Sequence, residues 1–428
     1  MVTSDQLSFY FEKRDFSPNR ANLVRKTAIA AVDSVAAFHT QRSQRFTHTK
    51  HFIHATLANT LIAGDLTSAG AGPAFFCSFP FEADADSADP IGFSTATVFL
   101  PKWQISCHHQ DGVVVHNLQI DQDTQLEKLV AETWQTLQQI QSIQSAQVTP
   151  PFQPLEFLKK YPVGTTDRFK QSVQSALNSI AAGQLDKVVL AHAVDVISPL
   201  PFHQTYSLNN LRRLYPDCYI FAVGNGRGQS FLGASPERLV CLQNRHLLTD
   251  ALAGSAPRGQ TTREDAQLAQ ALLNSEKDHH EHQVVVDFIS RQLERLGLSP
   301  ELAPLKLLQL SNIQHLHTPI RAIVPAAIHL LDILAALHPT PAVAGLPRDI
   351  ACQEIGRYEP FARSLYAAPI GWINHRGEGE FVVGIRSALM DGCRARLFAG
   401  AGIVAGSDPD RELAEVQLKL QALLNALV

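Results

Sequence analysis

The chain has 428 residues, 45% of them hydrophobic and 18% charged, with a formal net charge of −4. That is enough apolar material for a large buried core, while the charge balance leaves no electrostatic footprint for nucleic acid or an anionic membrane surface. Six scattered cysteines (Cys77, Cys107, Cys218, Cys241, Cys352 and Cys393) form no C-x-x-C pair, which excludes a disulfide scaffold and fits free thiols in a reducing compartment.

The N-terminal run MVTSDQLSFYFEKRDF carries early acidic residues and no apolar stretch of signal-peptide length, so a cytoplasmic protein is expected. Residues 75–81, 94–101 and 112–120 read as strands. Asp123 or Thr124 is placed to cap a helix with Leu126, Leu129, Val130, Leu137 and Ile140 on its apolar side. A Gln/Ser-rich tail and Pro150, Pro151 and Pro154 then make the best candidate linker. Beyond it, Phe169, Val173, Leu177 and Ile180 keep helical spacing up to Gly183. KVVLA, from Lys187, reads as a buried strand. Further strands are expected at 219–224, 231–242, 380–390 and 394–406, and helices at 262–296 and 410–427. The most apolar stretch, 322–338, is interrupted by Pro325, His329 and Asp332, so it reads as a buried helix rather than a membrane span.

Several residues in these elements have chemical potential. Asp278 and Glu281 lie three apart in SEKDHHEHQVVVDFI, on a face that Val285, Phe288 and Ile289 continue. In the last helix, with Asp408 as N-cap and Pro409 in the first turn, Glu412, Glu415 and Lys419 share one stripe. Buried carboxylates repel one another unless a cation or protons neutralise them, and oxygen-only donors suit a hard ion such as Mg²⁺. The same spacing is common on solvated helix faces, so both readings stand. The run from His279 to His282 lacks the H-E-x-x-H spacing of a zinc site.

Lys187 is an unusual residue with which to open an apolar strand. Buried, it can serve as a general base; at the strand end, it can snorkel to water. Glu237, after a proline in FLGASPERL, is either a carboxyl raised into general-acid range by an apolar pocket or a surface turn residue. GAGIVAGS has neither G-x-G-x-x-G nor G-K-S/T, which argues against a nucleotide, although its glycines allow close approach of an anion to the backbone. Arg386 can grip a carboxylate bidentately or serve in a structural ion pair.

Taken in order, KVVLA, FLGASPERL, TDALAGSAPRG, SEKDHHEH, LHPTPAVAGLP, RSLYAAPIGW, GIRSA and LFAGAGIVAGSDPDRELAEVQLKL resemble the successive blocks of the chorismate-utilising enzymes. These include isochorismate synthases, salicylate synthases and the large subunits of anthranilate synthase. The resemblance implies an α/β (α+β) fold in which two β-sheets pack into a sandwich core with helices outside, like anthranilate synthase component I. It divides the chain into a variable N-terminal region, 1–150, expected to pack into the same unit, and a chorismate-binding catalytic domain at 164–427.

Carried over by position, Lys187 would activate water for attack at C2 of chorismate, and Glu237 would protonate the departing C4 hydroxyl. Glu281 and Glu415 would hold Mg²⁺, with Asp278 and Glu412 in support. Arg386, Tyr366, the Gly402 backbone and Lys419 would hold the substrate's carboxylates, Gly254 and Ser255 would line the ring, and His338 matches a site histidine. Anthranilate synthase large subunits usually lack the lysine matched by Lys187 and carry a different block where His338-Pro339-Thr340-Pro341 stands here. The resemblance therefore implies isochorismate synthase activity, with water as nucleophile, no glutaminase subunit and a monomeric state. A salicylate synthase, which eliminates pyruvate after the same first step, is the alternative. A catalytically silent chorismate-binding protein is a further one. His192, Ala344, Ala368 and the segment 412–416 depart from the usual pattern without removing a catalytic group.

Overall fold

The computed structural model describes residues 5–16, 24–40, 43–82, 92–93, 95–109, 111–142, 157–311 and 313–428. The Gln/Ser- and Pro-rich linker candidate lies outside the described residues. Two antiparallel sheets dominate the fold. The first runs in the order Gly345–Leu346, Lys187–Ile197, Arg394–Ile403, Ser387–Asp391, Gln229–Ser235, Tyr219–Asn225, Leu7–Phe16, Val24–Val32, Trp103–His108 and Asp111–His116, with Lys159–Val163 also bonded to Lys187–Ile197. The second runs Glu301–Leu302, Ile313–Ile323, His246–Pro257, Arg238–Gln243, Gly379–Val383, Pro369–Asn374, Ala74–Ser78, Ala96–Leu100 and Ala36–Thr40, with Lys306–Gln309 beside Ile313–Ile323.

The inner faces meet through aromatic residues: Phe9 of the first sheet lies 4.8 Å from Phe76 of the second, ring centre to ring centre. Strands from residues 7–116 extend both sheets, so the N-terminal and C-terminal parts share one continuous core. Full burial of one such phenylalanine contributes roughly 1.5–3 kcal/mol. The helices cover the outside. Glu276–Arg295 packs on His246–Pro257, and Pro409–Leu427 on Arg394–Ile403. No helix among the described residues is long and apolar enough to cross a membrane.

The expected elements recur with informative differences. The apolar stretch 322–338 is not one helix: the strand Ile313–Ile323 ends inside it, and only Leu330–Leu337 is helical. His329 caps that helix, its ring accepting from the Leu331 amide while Asp332 accepts from the His329 amide. The helix expected over 262–296 is two, Thr262–Leu273 and Glu276–Arg295, because the Ser275 hydroxyl accepts from the Asp278 amide and starts a new helix. Asp408 caps the last helix as expected, accepting from the amides of Asp410 and Arg411.

Two expected single strands, 231–242 and 380–390, are each broken in the middle. Gln229–Ser235 lies in the first sheet and Arg238–Gln243 in the second; likewise Gly379–Val383 lies in the second and Ser387–Asp391 in the first. The two crossings run side by side, joined by the Ala234 amide on the Arg386 carbonyl (3.1 Å) and the Val383 amide on the Glu237 carbonyl (3.1 Å). Pro236, which has no amide for a ladder, and Gly384 mark the breaks. These crossings place Glu237 and Arg386 between the sheets.

Candidate active site

Lys187 opens its strand with only 3% of its surface exposed, so it does not snorkel to solvent. Its Nζ donates to Oε1 of Glu281 at 2.7 Å, bringing the first sheet and the helix Glu276–Arg295 together. Gly402, opposite Val189 on the neighbouring strand, lies beneath this pair. A Cβ at Gly402 would stand 3.1 Å from Lys187 Cε and 3.4 Å from Glu281 Oε1. On the other side, a Cβ at Gly345 would come within 2.2 Å of the Lys187 carbonyl, and its φ of +137° also requires glycine. Burial raises the Glu281 carboxyl, but the charge and hydrogen bond of Lys187, helped by Lys277 and Lys419, hold it below its ordinary value.

Glu237 is fully enclosed at the sheet crossing. Burial pushes its carboxyl up to about 8, the charge of Lys187 opposing this and that of Asp250 adding to it. A carboxyl of this kind holds its proton at neutral pH. Next to it lies a buried polar network that the sequence did not single out. His317 Nε2 lies 2.8 Å from Asp250, and Arg238 approaches Asp250 at 3.7 Å and Glu380 at 3.4 Å. The Tyr219 hydroxyl accepts from Arg238 and donates to Glu380.

Arg386, at the second crossing, has φ of +49° and no carboxylate within ion-pairing distance among the described residues. Its guanidinium lies 6.0 Å from the Tyr215 ring centre and 3.8 Å from Cys218 Sγ. It is thus not the structural ion pair that was one of its two expected readings.

Gly254 forms a bulge with φ of +74° in its strand, and a Cβ there would stand 3.1 Å from Asp278 Cβ. Ser255 Oγ lies 2.8 Å from His315 Nδ1. Burial, with the charges of Arg386 and Lys419, pushes His315 down to about 3, so its ring is neutral and near both cations. His315 too was missed; its only sequence signal was a histidine in an alternating strand. Tyr366 stacks on Phe398 at 5.3 Å, and its hydroxyl faces Gly400, where a Cβ would approach to 2.9 Å. Lys419 Nζ donates to the Gly400 carbonyl at 3.0 Å and pairs with Glu415 at 2.6 Å. His338 belongs to a different set of contacts: it is buried edge-on against Phe81, and burial, with the charges of Arg45 and Arg348, holds its ring well below the ordinary histidine value.

The four acids expected at a metal do not form one cluster. Among the described residues no three His, Cys, Asp or Glu side chains are arranged to hold an ion. Glu281 is taken by Lys187 and Glu415 by Lys419, while burial and the charge of Glu415 raise the half-buried Glu412 carboxyl. By chemistry the donors still fit a hard divalent ion: all are carboxylate oxygens, and their two helices pack on the strands that carry Gly254 and Gly402.

A buried amine and a proton-holding carboxyl therefore flank a site ringed by Arg386, Lys419 and Lys277, suited to an anionic substrate. The family profile described as chorismate binding enzyme matches residues 3–428. The chain belongs to that family. It is 44% identical over 263 residues to the salicylate biosynthesis isochorismate synthase of Pseudomonas aeruginosa, a match covering 61% of this chain and 54% of that protein. It is 38% identical over 262 residues to isochorismate synthase MenF of Bacillus subtilis, covering 61% of this chain and 55% of that protein. The matches thus span about half the length of these two relatives. The solved menaquinone-specific isochorismate synthase MenF of Escherichia coli superposes with a TM-score of 0.78 at 26% identity, covering 99% of this chain and 89% of that one. The two-sheet fold is that of the chorismate-utilising enzymes.

Proposed function

We propose that this protein is an isochorismate synthase. The observation that carries the reading is the pairing of opposite chemistries in one enclosed site, with the Lys187 amine on the first sheet and a protonated Glu237 carboxyl at the sheet crossing, each within the other's electrostatic reach. The names of the relatives support it from a separate direction.

In this reading chorismate, a dianion, lies between the sheets. Arg386, Lys419, the Tyr366 hydroxyl and the Gly402 backbone hold its carboxylates, while Gly254 and Ser255 line the ring. His338, packed against Phe81 in a separate set of contacts, is a site residue on the resemblance alone. Lys187, once its ammonium has released to solvent the proton it donates to Glu281, takes a proton from water as the oxygen adds to C2. The ring double bond shifts, and the C4 oxygen leaves as water with the proton of Glu237. One water enters and one departs, and proton return from Lys187 to Glu237 resets the pair. Mg²⁺, held by Glu281 and Glu415 with Asp278 and Glu412 behind them, would neutralise a substrate carboxylate and offset its desolvation. Water as nucleophile makes a glutaminase subunit unnecessary. A monomer in the cytoplasm is the accompanying expectation, and the six free cysteines suit a reducing compartment.

The test is incubation of purified protein with chorismate and Mg²⁺, with EDTA as control, followed by product identification. Isochorismate supports the reading. Salicylate and pyruvate without a second enzyme would replace it by salicylate synthase, and no product from folded protein would overturn it.

A further inference from the structure

The strand that begins with Lys187 is bonded along one edge to Arg394–Ile403 without a break from Val188 to Ile197. Its other edge is incomplete. Lys187 and Val188 pair with Leu346 and Gly345, and Ala193 to Ile197 pair with Lys159–Val163, but among the described residues no strand faces the stretch between, where the Val189 amide donates to the Ala344 carbonyl at 2.8 Å. Two charged side chains take up further backbone groups of this gap. Arg363 Nη2 donates to the Val189 carbonyl at 2.7 Å, and Glu359 Oε1 accepts from the Ala191 amide at 2.8 Å.

The pair is held rigidly. Arg363 is fully buried, with Nε 2.9 Å from Glu359 Oε2 and Nη2 2.5 Å from Oε1. Its remaining Nη1 donates to the Val343 carbonyl at 2.8 Å, in the segment that leads to Gly345. The Arg363 carbonyl accepts from the Tyr366 amide at 2.8 Å, and its own amide donates to Glu82 at 2.8 Å. One guanidinium thus bonds the Lys187 strand and the Gly345 segment, and the same residue's backbone anchors the turn carrying Tyr366. A buried ion pair is a poor source of stability compared with well-packed apolar groups, whereas its fixed fork geometry is a good source of position.

We propose that Arg363 and Glu359 are positioning residues that stand in for a missing strand and so fix the Lys187 amine for proton transfer. This rests on the reading of Lys187 as base. Neither residue touches the reacting atoms, so the effect should fall on kcat and on local backbone exchange more than on substrate affinity.

The test compares the double variant Arg363→Met/Glu359→Leu, which leaves no buried charge unpaired, with Arg363→Lys, which keeps the charge but loses the fork. Each is examined for its melting transition, for kcat and KM with chorismate, and for hydrogen exchange at the Ala191 amide. In folded protein the proposal expects kcat to fall more than about tenfold with KM changed less than about threefold, and Ala191 to exchange more than about tenfold faster in the double variant. Wild-type kcat in a folded variant, or a loss that merely tracks the unfolded fraction, overturns it, as does unchanged Ala191 exchange. The exchange measurement needs no turnover, so failure of the isochorismate synthase reading would show separately, as absence of product from the wild-type protein.

Discussion

Lys187 and Glu281 hold each other across 94 residues of sequence, the ammonium of one meeting the carboxylate of the other at 2.7 Å on a floor made by Gly402. The contact joins the strand that supplies the proposed base to the helix that supplies a proposed metal ligand, so one residue's replacement should affect both. Lys187→Ala removes the base and leaves a buried carboxylate short of its nearest cation. Loss of a general base costs about 10²- to 10⁴-fold in rate, and breaking a buried pair about 3–5 kcal/mol. Lys277 and Lys419 still lie near Glu281, which places the stability loss at the lower end. Steady-state kinetics beside a melting curve check both. A folded variant with more than a tenth of wild-type kcat would remove Lys187 from the mechanism.

Glu237 sets the pH behaviour. Its carboxyl titrates near 8 in the folded protein against 4.5 in the free residue, so the proton-carrying form required of a general acid is lost as pH rises through about 8. The rate with chorismate should decline there. Folding stability moves the same way: this group's contribution is present in full below its unfolded value near 4.5 and is lost as pH rises through about 8, because the folded state holds the proton more tightly. Glu237→Gln keeps the shape without the titration. It should be inactive, yet melt at a higher temperature than the wild type at about pH 9. A variant that melts lower there would mean the carboxyl is ionised and paired.

These two residues also show how much the sequence discloses. Lys187 stood out because a lysine in an apolar strand is anomalous by itself, and Glu281 through its spacing from Asp278, but nothing in the sequence pairs the two; only the fold brings them together. Glu237 and Arg386 were each read within unbroken strands. Alternation of apolar residues is a local signal, and it does not record which sheet a strand joins; the sheet change at Pro236 and Gly384 is what places both side chains between the sheets. The network of Asp250, His317, Arg238, Tyr219 and Glu380 draws on separate strands, none with a motif, so only the fold assembles it. Arg363 and Glu359, four apart just beyond the helix Arg348–Tyr358, carry no motif either, and only the fold sets them against the Lys187 strand.

Gly402 offers a narrower test of the geometry. Its φ lies outside the left-handed region, so alanine suffers no backbone strain, and the new methyl meets flexible side-chain ends rather than main chain. Gly402→Ala should therefore fold normally but shift the Lys187 amine by a few tenths of an ångström. Since a full 1 Å of misplacement costs about 100-fold, this smaller shift should lower kcat with chorismate by up to about 10-fold. Gly345→Ala should instead destabilise the whole chain, because its Cβ would meet the Lys187 backbone carbonyl at 2.2 Å. Comparing the two melting temperatures with the two kcat values separates crowding of the site from damage to the fold. Equal thermal losses would mean that the floor under Lys187 is as rigid as the strand edge.

The carboxylates proposed for Mg²⁺ are already neutralised by lysines, Glu281 by Lys187 and Glu415 by Lys419. Two consequences follow for metal removal. Stripping with EDTA should abolish turnover of chorismate, and readdition of Mg²⁺ should restore it. The melting transition should stay cooperative, since neither acid is left as an isolated charge. Glu281→Gln and Glu415→Gln should weaken the Mg²⁺ concentration dependence of the rate more than Asp278→Asn and Glu412→Gln, whose supporting role predicts losses of about 10- to 100-fold. Glu281→Gln should carry an extra stability penalty, because it also leaves Lys187 buried without its carboxylate, while the half-exposed Lys419 remains solvated in Glu415→Gln. Turnover that survives EDTA unchanged would show that the lysines alone hold the substrate's charge, and the two helices would then carry acids for packing rather than for an ion.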